Sequence, residues 1–104
     1  MITLFILGAS TALVAEADAR NVAYVNCIFA ETRGVAVEVE DAQFAAHWQA
    51  SCVSEREAFN AAFVEVHQAR GESREEAEAR WSGVQQRGLD RLLESRRNIR
   101  DMQA

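Results

Sequence analysis

The stretch FNAAFVEVHQARGESREEAEARW, residues 59–81, decides the fold. Phe59, Ala62, Phe63 and Val66 recur at spacings of three and four before Gly71, and Ala77, Trp81 and Val84 do so after it. That is the period of an amphipathic helix on either side of a break. Gly71 suits the left-handed residue that stops a helix. Ser73-Arg74-Glu75-Glu76 has capping-box spacing, with Ser73 as N-cap and Glu76 reaching back to it. Two helices joined by so short a turn lie antiparallel.

Outward from the turn, the first helix continues back through Cys52, Trp48 and Phe44 to an N-cap at Asp41, giving a segment of residues 42–70. The second continues through Leu92, Ile99 and Met102, residues 74–102, with Gly88 on the same stripe. Each is about 43 Å long. The turn sets the register: Phe63 faces Trp81, Phe59 faces Gln85 beside Val84, Cys52 faces Leu92, and Trp48 falls near Arg96. Further upstream, residues 20–33 place Val22, Val25, Ile28 and Phe29 on one side of a shorter helix that Gly34 stops. Residues 35–40 alternate with period two. A lone strand has no partner, so an extended connector with inward valines is expected. Zero proline and five glycines agree with an all-α chain of few long elements.

Residues 1–15 carry no charge and are too short an apolar run to span a bilayer. Ala15-Glu16-Ala17 and Ala17-Asp18-Ala19 follow as small-x-small cleavage sites, so residues 1–19 are expected to be a signal peptide cut after Ala19 or Ala17. No basic residue precedes the apolar run, which departs from the usual leader. The working domain is then residues 20–104, where 14 acids against 11 arginines leave a charge of −3, compared with −5 for all 104 residues. The acidic balance argues against a nucleic-acid partner. The mature form has no stable membrane span. The composition, rich in alanine and arginine and free of lysine, is what GC-rich bacterial coding gives, so the expected location is periplasmic or secreted.

In such a compartment Cys27 and Cys52 read as one disulfide that ties the short helix to the hairpin. A redox site needs a reactive thiol, usually in Cys-x-x-Cys, and 24 residues separate these two. Cys27, His47, Cys52 and His67 match the count of a zinc site but not its ligand spacing, so no metal or cofactor is expected. Glu55 is a carboxylate on the core stripe, in register near Leu89 and within reach of Arg87, Arg91 or Arg20. The plain reading is a structural Glu–Arg pair. Arg87, Arg91, Arg96, Arg97 and Arg100 form a strip on the last helix, interleaved with Asp90, Glu94 and Asp101 as a solvated face is.

No catalytic constellation is apparent. A short first helix covers only half of a 43 Å hairpin, leaving Phe59, Phe63, Val66, Trp81 and Val84 as an apolar patch for a homodimer or a protein partner. The function expected is therefore that of a small exported helical protein acting by protein–protein interaction or self-association. The alternative is a periplasmic ligand- or metal-binding protein using Glu55 and the histidines.

Overall fold

The computed structural model describes residues 10–103 and places them in four helices, with no strand among the described residues. They are α1 (Thr11–Thr32), α2 (Asp41–Ala50), α3 (Val53–Ala69) and α4 (Arg74–Gln103). The first half of the expected leader lies outside the described residues. Its second half is the opening of α1, capped by Ser10, whose hydroxyl accepts the Leu13 amide at 3.2 Å. The helix runs through both candidate cut sites to Thr32, 22 residues and about 33 Å.

The hairpin forms where residues 59–81 place it. At the end of α3, Gly71 takes φ +100°. Its amide donates to the Gln68 carbonyl at 3.0 Å and that of Glu72 to the His67 carbonyl at 3.1 Å, the double closure of a Schellman turn. Across the turn the Glu76 amide donates to Ser73 Oγ (3.1 Å) and the Ser73 amide to Glu76 Oε1 (2.8 Å). Trp81 then meets Phe63 (ring centroids 5.5 Å apart) and stands edge-on to Phe59 at 4.9 Å. The Phe63–Trp81 pairing agrees with the register read from the turn.

Several expectations are corrected. The helix expected over residues 42–70 is two, broken at Ser51 and Cys52, where Ser51 is extended (φ −90°, ψ 146°) and Cys52 left-handed (φ 56°, ψ 38°). The disulfide Cys27–Cys52, with Cα atoms 6.1 Å apart, is formed from this break. A left-handed non-glycine residue costs about 1 kcal/mol, which the cross-link and the packing around it offset. Second, of the expected stripe on α1 only Ile28 is buried, alongside Tyr24 and Thr32: Val22 is 58% exposed, Phe29 57% and Val25 38%. The cross-link at Cys27 and the bonding of Tyr24 set this roll of the helix. Third, on α4 Ala77 and Trp81 are buried and Val84 and Leu92 half-buried as the stripe requires, but Leu89 and Arg96 are buried as well, while Ile99 and Met102 face outward.

The connector after α1 is a run of turns rather than an extended segment, held by Val35 N–H to the Thr32 carbonyl (3.0 Å) and Val39 N–H to that of Ala36 (3.1 Å). Val35, Val37 and Val39 are half-buried and the residues between them exposed, so the period-two pattern survives as burial. Gly34 lies just past the helix end but keeps an ordinary φ. The core is Tyr24, Ile28, Phe44, Trp48, Phe59, Trp81 and Leu89.

Candidate functional site: an apolar groove between the first and last helices

Helix α1 lies antiparallel on α3, with Cys27 beside Cys52 and Tyr24 against Phe59 (6.2 Å). Helix α4 packs on another side of α3. Helices α1 and α4 therefore share a neighbour without closing on each other. Their direct polar link is Tyr24 Oη donating to Gln85 Oε1 at 3.1 Å. Beside this link lies an open groove of about 450 Å³. Its floor is Tyr24, Ile28, Trp48 and Phe59; Val25 and Phe29 form one wall, and Val84, Gly88, Arg91 and Leu92 the other. A Cβ at Gly88 would meet nothing within 4 Å, so that wall is open. Arg91 is exposed and has no acidic partner among the described residues.

Two arginines that the sequence reading did not single out as structural hold the groove's surroundings in place. Arg56 donates to the carbonyls of Trp48 (2.7 Å), Gln49 (2.8 Å) and Ser51 (2.9 Å), and its Nε to Tyr24 Oη (3.3 Å). Its guanidinium lies 5.1 Å from the Trp48 ring and 5.6 Å from that of Tyr24. It thus meets the orphan carbonyls that the break after α2 creates, and ties the break to α1. Arg96 is buried over the Phe44 ring at 4.2 Å and donates to the carbonyls of Ala36 (2.7 Å), Val39 (3.3 Å) and Val35 (3.4 Å). Its Nε has no partner.

Arg97 and Arg100 both reach Asp41, at 2.8 and 3.0 Å, and Arg100 also donates to the Val37 carbonyl at 3.1 Å. The Arg97 and Arg100 hydrogen bonds hold the Asp41 carboxyl below its ordinary range. Three of the five arginines in the strip expected to be a solvated face, Arg96, Arg97 and Arg100, are therefore a clamp on the connector and the start of α2. An arginine four residues after the break and three near the end of the chain were the available signal, but most of their acceptors are backbone carbonyls, which leave no mark in sequence, and Asp41 lies more than fifty residues from Arg97 and Arg100.

The remaining site residues separate. Glu55 is half-buried in the first turn of α3, and its expected partners do not pair with it: Arg20 binds Glu16 at 2.7 Å, and no ion pair to Arg87 or Arg91 forms among the described residues. Because α3 starts at Val53, Glu55 sits at a helix N-terminus, where the backbone dipole favours its charge. Its carboxylate lies within 4.8 Å of both cystine sulfurs, but the disulfide consumes the two thiolates that a metal would need. His47 Nε2 is 2.9 Å from the Glu31 carbonyl, so that nitrogen carries a proton and donates. His67 lies tilted against Phe63, ring centroids 4.5 Å apart, and sits 3.3 Å from Glu72, whose carboxyl is held low chiefly by Arg80. The two histidines do not converge.

In the expected patch, Phe59, Val66 and Trp81 are buried and Phe63 and Val84 half-buried. Helix α1 starts nine residues before Arg20, and Leu13, Val14 and Ala17 of that added stretch are half-buried. The accessible apolar surface lies instead along Val22, Val25 and Phe29 and in the adjoining groove. No helix among the described residues is long and apolar enough to cross a membrane. No family model, curated protein or solved structure matches the chain.

Proposed function

We propose that this chain is a small exported helical protein that works by docking an apolar helix face against the groove between α1 and α4. The observation that carries this reading is the continuity of the groove with the exposed Val22, Val25 and Phe29. Val25 and Phe29, 38% and 57% exposed, line a concavity made mainly of aliphatic and aromatic groups, and Val22, 58% exposed, precedes Val25 by three residues on the same helix. A monomer leaves such a surface uncovered only at the cost of exposing contiguous apolar area, and grooves of this kind accept an amphipathic helix through anchors at three- and four-residue spacing. The disulfide and the apolar amino-terminal segment support export.

The test is binding of an environment-sensitive hydrophobic dye to the oxidised protein at low concentration, with Gly88→Leu as control. Leucine is a better helix former than glycine, and its side chain extends into the open wall, so the variant folds and fills the groove. Dye fluorescence that Gly88→Leu reduces by severalfold supports the reading. A strict monomer that binds no dye overturns it.

A further inference from the structure

We infer that the occupant of this surface is a second copy of the chain, docked through an antiparallel, twofold-symmetric pairing of α1 with α1 of the partner subunit. This rests on the docking reading above and names its partner.

The exposed stripe of α1 is longer than its apolar centre. On a helix, Asp18, Val22, Val25, Phe29 and Arg33 follow one another at three and four residues and share a face. Arg33 keeps right-handed helical angles (φ −65°, ψ −21°), so the face continues through the cap. Asp18 and Arg33 are exposed, and neither has an ionic partner among the described residues. Between them, residues 21–30 carry no charge on any side of the helix, although only part of that circumference is buried in the monomer. The apolar side chains Val22, Val25 and Phe29 therefore stand on an uncharged stretch of helix that the monomer leaves open.

The two ends of the stripe have opposite charge, so the stripe complements its own reverse. With the twofold axis between Val25 and Asn26, Val22 meets Phe29 of the partner subunit, Val25 flanks the axis, and Asp18 meets Arg33 of the partner subunit. Symmetry makes each contact twice, as an isologous interface requires. A parallel pairing in the same register would set Asp18 on Asp18 and Arg33 on Arg33. The other charged pair of the helix, Arg20 with Glu16, lies on a different face and is already satisfied within the chain at 2.7 Å. Val25 and Phe29 belong to both the stripe and the groove wall, so the incoming α1 also covers the groove. Asp18 follows the first candidate cut and precedes the second. The pairing therefore belongs to a chain that is whole or cut after Ala17.

Sedimentation velocity on the full, oxidised chain tests this with a charge exchange. Both positions are exposed, so Asp18→Arg and Arg33→Asp preserve the fold, which circular dichroism checks. The unaltered chain is expected to dimerise reversibly. Each single variant weakens the dimer roughly tenfold at low salt, because two attractive contacts become repulsive. The double variant, and an equimolar mixture of the two single variants, recover most of the affinity, and high salt narrows all the differences. A chain that stays monomeric while still binding the dye overturns this pairing and leaves the docking reading standing. A dimer indifferent to the single variants, one that neither the double variant nor the mixture restores, or recovery only of a form beginning at Arg20 overturns it as well.

Discussion

Replacing Arg56 with methionine is expected to destabilise the oxidised protein by about 3 kcal/mol. Methionine keeps the unbranched stem and removes the guanidinium. Three carbonyls lose donors at 2.7, 2.8 and 2.9 Å. A hydrogen bond from a charged group contributes about 1.5–3 kcal/mol when shielded, but these carbonyls sit at a partly exposed break and regain water, so about 1 kcal/mol each is the better figure. Loss of the cation–π contacts to Trp48 and Tyr24 adds on the order of 0.5–1 kcal/mol. Relief of the cost of ordering a long side chain offsets part of this.

For a chain of this size about 3 kcal/mol lowers Tm by roughly 15 °C. Urea unfolding followed by far-ultraviolet circular dichroism measures it, with the slope unchanged if only the native state is affected. Arg56→Lys serves as a second variant. It keeps the charge but cannot fork across three acceptors, so its loss should fall between those of the parent and the methionine variant. A loss below about 1 kcal/mol for Arg56→Met, the size of an ordinary surface substitution, would refute the claim that this residue holds the break together.

Two further outcomes follow from the same geometry. Reducing Cys27–Cys52, or replacing both with serine, is expected to cost on the order of 3 kcal/mol, since the cross-link closes a loop spanning 25 positions; thermal unfolding with and without reductant reads this directly. Acid should also destabilise the protein through Asp41, Glu72 and Glu76, whose carboxyls are held low chiefly by Arg97, by Arg80 and by the Ser73 amide respectively. A carboxyl lowered on folding contributes stability that is present above its unfolded pKa and is lost as pH falls through the folded one, so the loss begins below about pH 4.5. Asp41→Asn should flatten that part of the curve, and an unchanged acid limb would show that the clamp of Arg97 and Arg100 carries no pH dependence.

The two proposals lie on different parts of one surface and are linked through α1. The roll of that helix buries Tyr24, Ile28 and Thr32 and turns Val22, Val25 and Phe29 outward. Rolled the other way, the helix would bury its valines and turn Tyr24 away from Arg56 and Gln85. The disulfide therefore does more than stabilise: by holding Cys27 against the break at Cys52, it helps to set which face of α1 points outward.

The all-α class, the hairpin turn and the cross-link were legible in the sequence because their signals are local or few. Gly71 needs no neighbour to take a left-handed φ, Ser73 and Glu76 satisfy each other within four residues, and two cysteines allow a single pairing. The break between α2 and α3, the roll of α1 and the inward turn of Arg56 and Arg96 were decided only by the tertiary structure. At Cys52 the periodicity of Phe44, Trp48 and Phe59 reads through the break, because residues on both sides still face one core. The contacts that set the roll and turn the arginines inward join positions far apart in the chain, Tyr24 to Arg56 and Gln85, and Arg96 to the carbonyls of Ala36 and Val39. Helical periodicity says that a face exists. Which face is buried depends on donors and acceptors that meet only once the chain has folded.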